Sequence, residues 1–250
     1  DFIQRNFKNT FFTPEVLNIL DGLRANIDNL SGYKKDIALF ALGKTCISGK
    51  GGFGHFSSTT MYGNRRFTKS KFLELYTSNL QRISDLVFDN GQDNKAFNGD
   101  ILEIAPQVKA DLAYFDPPYA THFSTTNYET AYHFVEGLMT MWKGKEIKKD
   151  SKTKSYQVSS KTVTEKTANE FFENYLNASK HIKYWIISYR DQAYPSEREI
   201  KKIINDVNKD SRMKSRDHHY SISSDHGENS DAKERIFICG PRGFLKSKAD

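Results

Sequence analysis

Cysteine is scarce in this chain, and long apolar runs are missing. Cys46 and Cys239 are the only two cysteines in 250 residues, too few for a disulfide framework or a four-cysteine zinc site. Both are expected as free thiols. No stretch reaches the roughly 18 consecutive apolar residues that a membrane-spanning helix needs, and the N-terminus lacks the basic-then-apolar pattern of a secretory signal. The expected location is the cytoplasm. An initiator methionine is also missing, and Asp1-Phe2-Ile3-Gln4-Arg5 reads as the interior of a longer polypeptide. Acidic residues are outnumbered, 31 Asp and Glu against 37 Lys and Arg. The resulting pI of about 9.1 favours a polyanionic partner, although charge alone is a weak signal.

What is present organises into two regions. Thr13-Pro14-Glu15 supplies a capping hydroxyl, a proline at the first helical position and an acid in the first turn. Val16, Ile19, Leu20, Leu23 and Ile27 then recur at helical spacing. A second helix is expected from about Lys34 to Thr45, a glycine-rich loop from Ser48 to Phe56, and a third helix from Ser70 to Val87. After Asn90-Gly91, short apolar runs alternate with amphipathic stretches, the pattern of an α/β sheet. Strands are expected over Ala110 to Asp116, Lys183 to Tyr189, His218 to Ser223 and Glu234 to Cys239. Helices are expected over Tyr128 to Trp142, Ala168 to Ser179 and Ser196 to Asn208. Residues 143 to 166 are Lys-rich and polar, and read as an exposed basic insertion.

Asp116-Pro117-Pro118-Tyr119 follows the apolar run Leu112 to Phe115. By average residue usage this string occurs by accident in roughly one chain in a thousand of this length. Its place at the carboxyl end of a buried strand is where α/β sheets bind ligands. A carboxylate beside a backbone carbonyl can accept both protons of an exocyclic amine and so localise its lone pair. Two prolines hold that carbonyl in a rigid turn, and Tyr119 adds a flat face on which a base can stack. The bland alternative is a surface turn with Tyr119 packed on its own loop.

Together with Ile3-Gln4-Arg5-Asn6-Phe7, Phe11 to Glu15, the segment Lys44 to Phe56, Tyr132 to Leu138, Ile187-Ser188-Tyr189, His219 to Ser223 and Glu234 to Ile238, this motif resembles the adenine-specific DNA methyltransferases. The likeness is to the subgroup that includes DNA adenine methylase and many restriction-system methylases. The resemblance implies a partial Rossmann-like α/β sheet over residues 96–250, with a helical target-recognition region over residues 1–95. It implies site-specific transfer of a methyl group from S-adenosylmethionine to the N6 amine of a flipped-out adenine in double-stranded DNA. Asp116, Pro117, Pro118 and Tyr119 would be catalytic. Asp100, Ile101, Asp116 and Pro118 would hold the donor, with Asp100 on its amino group and Ile101 against its ring. Ser188 and Tyr189 would line the floor of the site.

The family's Phe-x-Gly-x-Gly donor-binding turn is not found, because Gly51-Gly52-Phe53-Gly54 follows a helix rather than a strand. An additional N-terminal segment or a partner chain is expected to carry it. Lys44, Ser48, Lys50, His55, Asn64, Arg65, Arg66, Lys148 and Lys152 are the candidate DNA contacts, for phosphates and base edges alike. Solvated basic loops would have the same composition. No Cys or carboxylate stands at metal-ligand spacing from His218-His219, and no metal is expected. Two alternatives stay open. One is a DNA-binding subunit or truncated remnant that needs a partner segment for donor binding. The other is an amine methyltransferase acting on cytosine N4 or ribosomal RNA guanine. A cognate restriction endonuclease would be a partner of the leading reading.

Overall fold

The computed structural model describes residues 1–50, 55–56, 67–121, 127–158, 162–219 and 231–245. In chain order the helices are α1 (Phe2–Phe7), α2 (Pro14–Asp28), α3 (Gly32–Lys50), α4 (Lys69–Asp85), α5 (Ile101–Ile104), α6 (Tyr128–Ala131), α7 (His133–Thr140), α8 (Glu165–Ala178) and α9 (Glu197–Asp206). The strands are β1 (Leu112–Phe115), β2 (Ala120–Thr121), β3 (Tyr184–Arg190), β4 (Ala193–Tyr194), β5 (Lys209–His219) and β6 (Asp231–Pro241). No described helix is long and apolar enough to cross a membrane. The chain divides into two compact units, 1–92 with 127–160, and 93–126 with 161–250. A division at residue 95 differs from this in two respects: the boundary lies after residue 92, and residues 127–160 return to the helical unit.

The helical unit is built on aromatic packing. Thr13 caps α2 by accepting from the Val16 N–H at 3.4 Å, and Val16, Leu17, Leu20 and Ile27 bury one stripe of that helix. Arg24, on the same stripe, donates from Nε to the Leu138 carbonyl at 2.9 Å and from its guanidinium to Met139 at 3.1 Å. Two orphan carbonyls at the end of α7 are thereby satisfied across 114 residues of sequence. Phe7, Phe11, Phe56, Phe134 and Trp142 interlock in the core, with Phe7 and Trp142 rings 4.8 Å apart.

Three expectations for this unit need correction. Helix α3 continues through Ser48 and Gly49 to Lys50, where a loop was expected from Ser48 onward. Gly49 is buried at a point where a Cβ would lie 2.1 Å from the Phe67 ring, so the glycine serves close packing within the helix rather than a turn. The single helix expected from Tyr128 to Trp142 is two helices, broken at Tyr132. Residues 143–158 are not wholly a solvated insertion. Ile147 bridges Tyr156, whose ring is 2% exposed and belongs to the helical core.

In the second unit the sheet order is β1-β3-β6-β5, with β1 parallel to β3 and the other neighbours antiparallel. A two-stranded antiparallel ribbon, β2 with β4, stands beside it. The sheet is mixed, and the unit is α/β. Strand alternation sends Trp185, Ile187 and Tyr189 to one face, where Phe172, Tyr175 and Leu176 of α8 and Ile200, Ile203 and Ile204 of α9 cover them. The other face carries Leu112, 53% exposed, and Tyr114, 61% exposed, with half-buried Ile186, Ile236 and Ile238.

The strand expected at His218 to Ser223 is mostly elsewhere. Strand β5 runs over Lys209–His219, eleven largely polar residues, and residues 220–223 lie outside the described set. An edge strand pairs on one side only, so charged side chains are tolerated and also discourage further pairing. Lys209 is nevertheless buried, because its Nζ donates to the Ile182 and Lys183 carbonyls at 2.8 and 3.0 Å.

Candidate active site

The site begins where β1 ends. Pro117 and Pro118 have no N–H to give to a ladder, so pairing stops after Phe115. The parallel register Phe115↔Ile187 brings the turn out at the same end of the sheet as Ser188 and Tyr189. Asp116 is exposed, while Pro117, Pro118 and Tyr119 are half-buried. From Tyr119 the chain passes directly into β2, and Ala120 pairs with Tyr194 of β4.

Tyr189 lies under this turn, 1% exposed. Its ring meets Tyr119 at 5.4 Å and 75°, and meets Phe172 at 4.9 Å. Its hydroxyl donates to the Tyr194 carbonyl and accepts from the Ala120 N–H at 3.4 Å. Burial pushes its pKa up to about 12, so the hydroxyl keeps its proton at neutral pH. Ser188 donates to the Glu234 carboxylate on β6. The motif alone did not reveal these two anchoring contacts. The alternation of Trp185, Ile187 and Tyr189 is the sequence signal that could have placed the last on the covered face.

Asp100 caps α5, with Oδ1 accepting from the Leu102 N–H at 2.9 Å. Ile101 is 38% exposed and Phe97 is 65% exposed. Phe97, Ile104, Gln107, Val108, Lys95 and Lys109 line a cavity of about 460 Å³, within the usual size range of small-molecule sites.

Among the candidate DNA contacts, Lys44 and Ser48 lie one turn apart on α3, half-buried and exposed respectively. His55 packs edge-on against Tyr132 at 5.2 Å. Asn64, Arg65, Arg66 and the Lys50 side chain lie outside the described residues. Lys148, Lys149 and Lys152 are exposed. Lys145 is not simply solvated: its Nζ is 3.4 Å from Glu129 and 4.1 Å above the Tyr156 ring. Among the described residues no cluster of three or more His, Cys, Asp or Glu could hold a metal.

An acidic residue and a rigid proline turn at the carboxyl end of a parallel strand define a ligand-binding α/β protein, and comparison with known proteins makes the class specific. The model of the D12 class N6 adenine-specific DNA methyltransferases matches residues 4–200, and the chain belongs to that family. It is 28% identical over 214 residues to the Type II methyltransferase M2.HphI of Haemophilus parahaemolyticus, covering 80% of this chain and 60% of that protein. It is 27% identical over 175 residues to the modification methylase StsI of Streptococcus sanguinis, covering 65% of this chain and 24% of that protein. The chain thus spans less than two thirds of either relative. No solved structure matches it.

Proposed function

We propose that the chain is the target-binding and catalytic portion of a site-specific methyltransferase acting on the N6 amine of a flipped-out adenine in duplex DNA, with S-adenosylmethionine as donor. The observation that carries the reading is the Asp116 to Tyr119 turn. It projects from the carboxyl end of β1 in a chain whose family match includes it. The names of the two relatives support a place in a restriction-modification system.

In this reading the Asp116 carboxylate and the Pro117 carbonyl each accept one amine hydrogen. The nitrogen is drawn out of conjugation with its lone pair aimed away from both acceptors. Tyr119 stacks on the extruded base, and Pro117 and Pro118 keep the acceptors from relaxing toward solvent. The donor supplies an electrophilic methyl on a sulfonium. On transfer the S–C bond electrons would stay with the thioether product, and the amine proton would pass to the Asp116 carboxylate and on to solvent. Asp100 and Ile101 are proposed to hold the adenine end of the donor, near a cavity lined by Phe97, Ile104 and Val108 together with Lys95, Gln107 and Lys109. Lys44, Ser48, His55, Lys148 and Lys152 of the helical unit are proposed DNA contacts, with the Lys50, Asn64, Arg65 and Arg66 positions of the same region.

The bare sheet face favours a further element of the reading. Parallel strands in α/β folds are covered on both faces, yet Leu112 and Tyr114 are largely exposed on edge strand β1. We propose that an additional segment or partner chain covers this face, completes a Rossmann-like sheet and carries the glycine-rich donor turn. Mass spectrometry of nucleosides from treated duplex tests the reaction. N6-methyladenine is expected, and methylcytosine in its place would overturn the reading. Titration with S-adenosylmethionine, with and without the added segment, tests the donor site.

A further inference from the structure

The Asp116 to Tyr119 turn is held by very little local structure. Strands β2 and β4 contribute two residues each, and so short a ribbon has little stability of its own. Both backbone groups contacted by the Tyr189 hydroxyl belong to one rung of that ribbon, since Ala120 and Tyr194 are paired residues. The same side chain bears on the turn through its ring, which meets Tyr119 edge-on. Its own position is set by β3 and by Phe172 of α8. One buried tyrosine therefore joins the rigid sheet to the residue that ends the turn and to the strand that follows it.

We propose that Tyr189 is a positioning residue for the methyl-transfer site: its hydroxyl locks the Ala120–Tyr194 rung, and through it the Pro117 carbonyl and the Tyr119 ring. This rests on the methyltransferase reading for its functional consequence but not for its structural content. Tyr189 is 1% exposed, so in this role its hydroxyl acts through the turn it braces. Removing the hydroxyl leaves the Ala120 N–H and the Tyr194 carbonyl without that partner, and the ribbon then relies on its contacts with α8 and the short link from β3 to β4. The turn then samples positions in which the two acceptors no longer meet both amine hydrogens. Misplacement of about an ångström at a reacting centre can cost on the order of a hundredfold in rate.

The test compares Tyr189→Phe, which keeps the ring, with Ile204→Val, which loosens the same core from α9. Amide hydrogen exchange is read over residues 115–121, and single-turnover methylation is read on an adenine-containing duplex. Tyr189→Phe is expected to speed exchange at Ala120 and to lower the transfer rate by about tenfold or more with DNA affinity unchanged. Ile204→Val is expected to lower the melting temperature while leaving the rate near wild type below it. Unchanged exchange in Tyr189→Phe overturns the proposal whatever the reaction is. Faster exchange with an unchanged rate overturns it as a positioning role, as does an equal rate loss in Ile204→Val. The rate is read on the protein together with the segment or partner chain that completes the donor site; if that assembly methylates no adenine, the functional reading falls, and the exchange result alone decides whether Tyr189 holds the turn.

Discussion

Two glycines in the helical unit invite the same substitution with opposite outcomes. Gly22 lies inside α2, exposed, and a Cβ built on it meets nothing within 4 Å. Alanine there should stabilise the protein by about 1 kcal/mol through helix propensity. Gly137 lies inside α7, where a Cβ would fall 2.1 Å from both Nε1 and Cε2 of Trp142. Carbon contacts are favourable near ~3.5–4.0 Å, so the overlap exceeds an ångström. The indole cannot swing aside cheaply, because Phe7 and Phe134 hold it with ring centroids at 4.8 and 5.6 Å. The backbone also folds it over the glycine: Met141 and Trp142 have positive φ, and the Trp142 N–H donates to the Gly137 carbonyl at 2.8 Å. Overpacking of this kind costs roughly 1–3 kcal/mol, and complete loss of a large aromatic about 3–5 kcal/mol. After the propensity gain, Gly137→Ala should be destabilised by about 1–3 kcal/mol. Urea unfolding followed by tryptophan fluorescence and far-UV circular dichroism measures both variants. A Gly137→Ala protein as stable as wild type would refute the packing argument, since propensity alone predicts a gain.

Asp116→Ala should leave melting nearly unchanged, because the side chain is exposed at a strand end. Single-turnover methyl transfer should fall by far more than tenfold, about 1.4 kcal/mol of barrier, and a smaller loss would remove Asp116 from the role of amine acceptor. Reversing the charge of Lys148, Lys149 and Lys152 should flatten the dependence of log DNA affinity on log salt by about one unit for each phosphate no longer neutralised; an unchanged slope would assign these side chains to solvent. Hydrogen bonds from the Ser196 hydroxyl, Asn169 and the Ser196 N–H hold the Glu199 pKa below its usual value, in a capping box at the start of α9. A lowered folded pKa gives stability that is present above the unfolded value of about 4.5 and is lost as pH falls through the folded one. Glu199→Ala should therefore cost about 1 kcal/mol at neutral pH and nothing in strong acid, and a gap of equal size at both would contradict it.

What was legible in the sequence was local. Thr13-Pro14 marks the start of α2, Ser196 begins α9 with Glu199 three residues on, and both follow from hydrogen bonds that close within one turn. The apolar run ending in Asp-Pro-Pro located β1 and its turn, because prolines end a strand whatever surrounds it. Tertiary structure decided the rest. Residues 209–217 are too polar to read as a strand and become one only because β6 offers an edge. Gly49 reads as part of a glycine-rich loop, yet it lies within α3 against the ring of Phe67, which is not part of that helix. Tyr156 looks like part of a polar insertion, and its burial depends on the core formed by the N-terminal helices. Most telling for the site, the partners of the Tyr189 hydroxyl include Ala120, 69 residues away. No pattern of period two or 3.6 encodes that separation, because loop length and sheet order bring the two residues together.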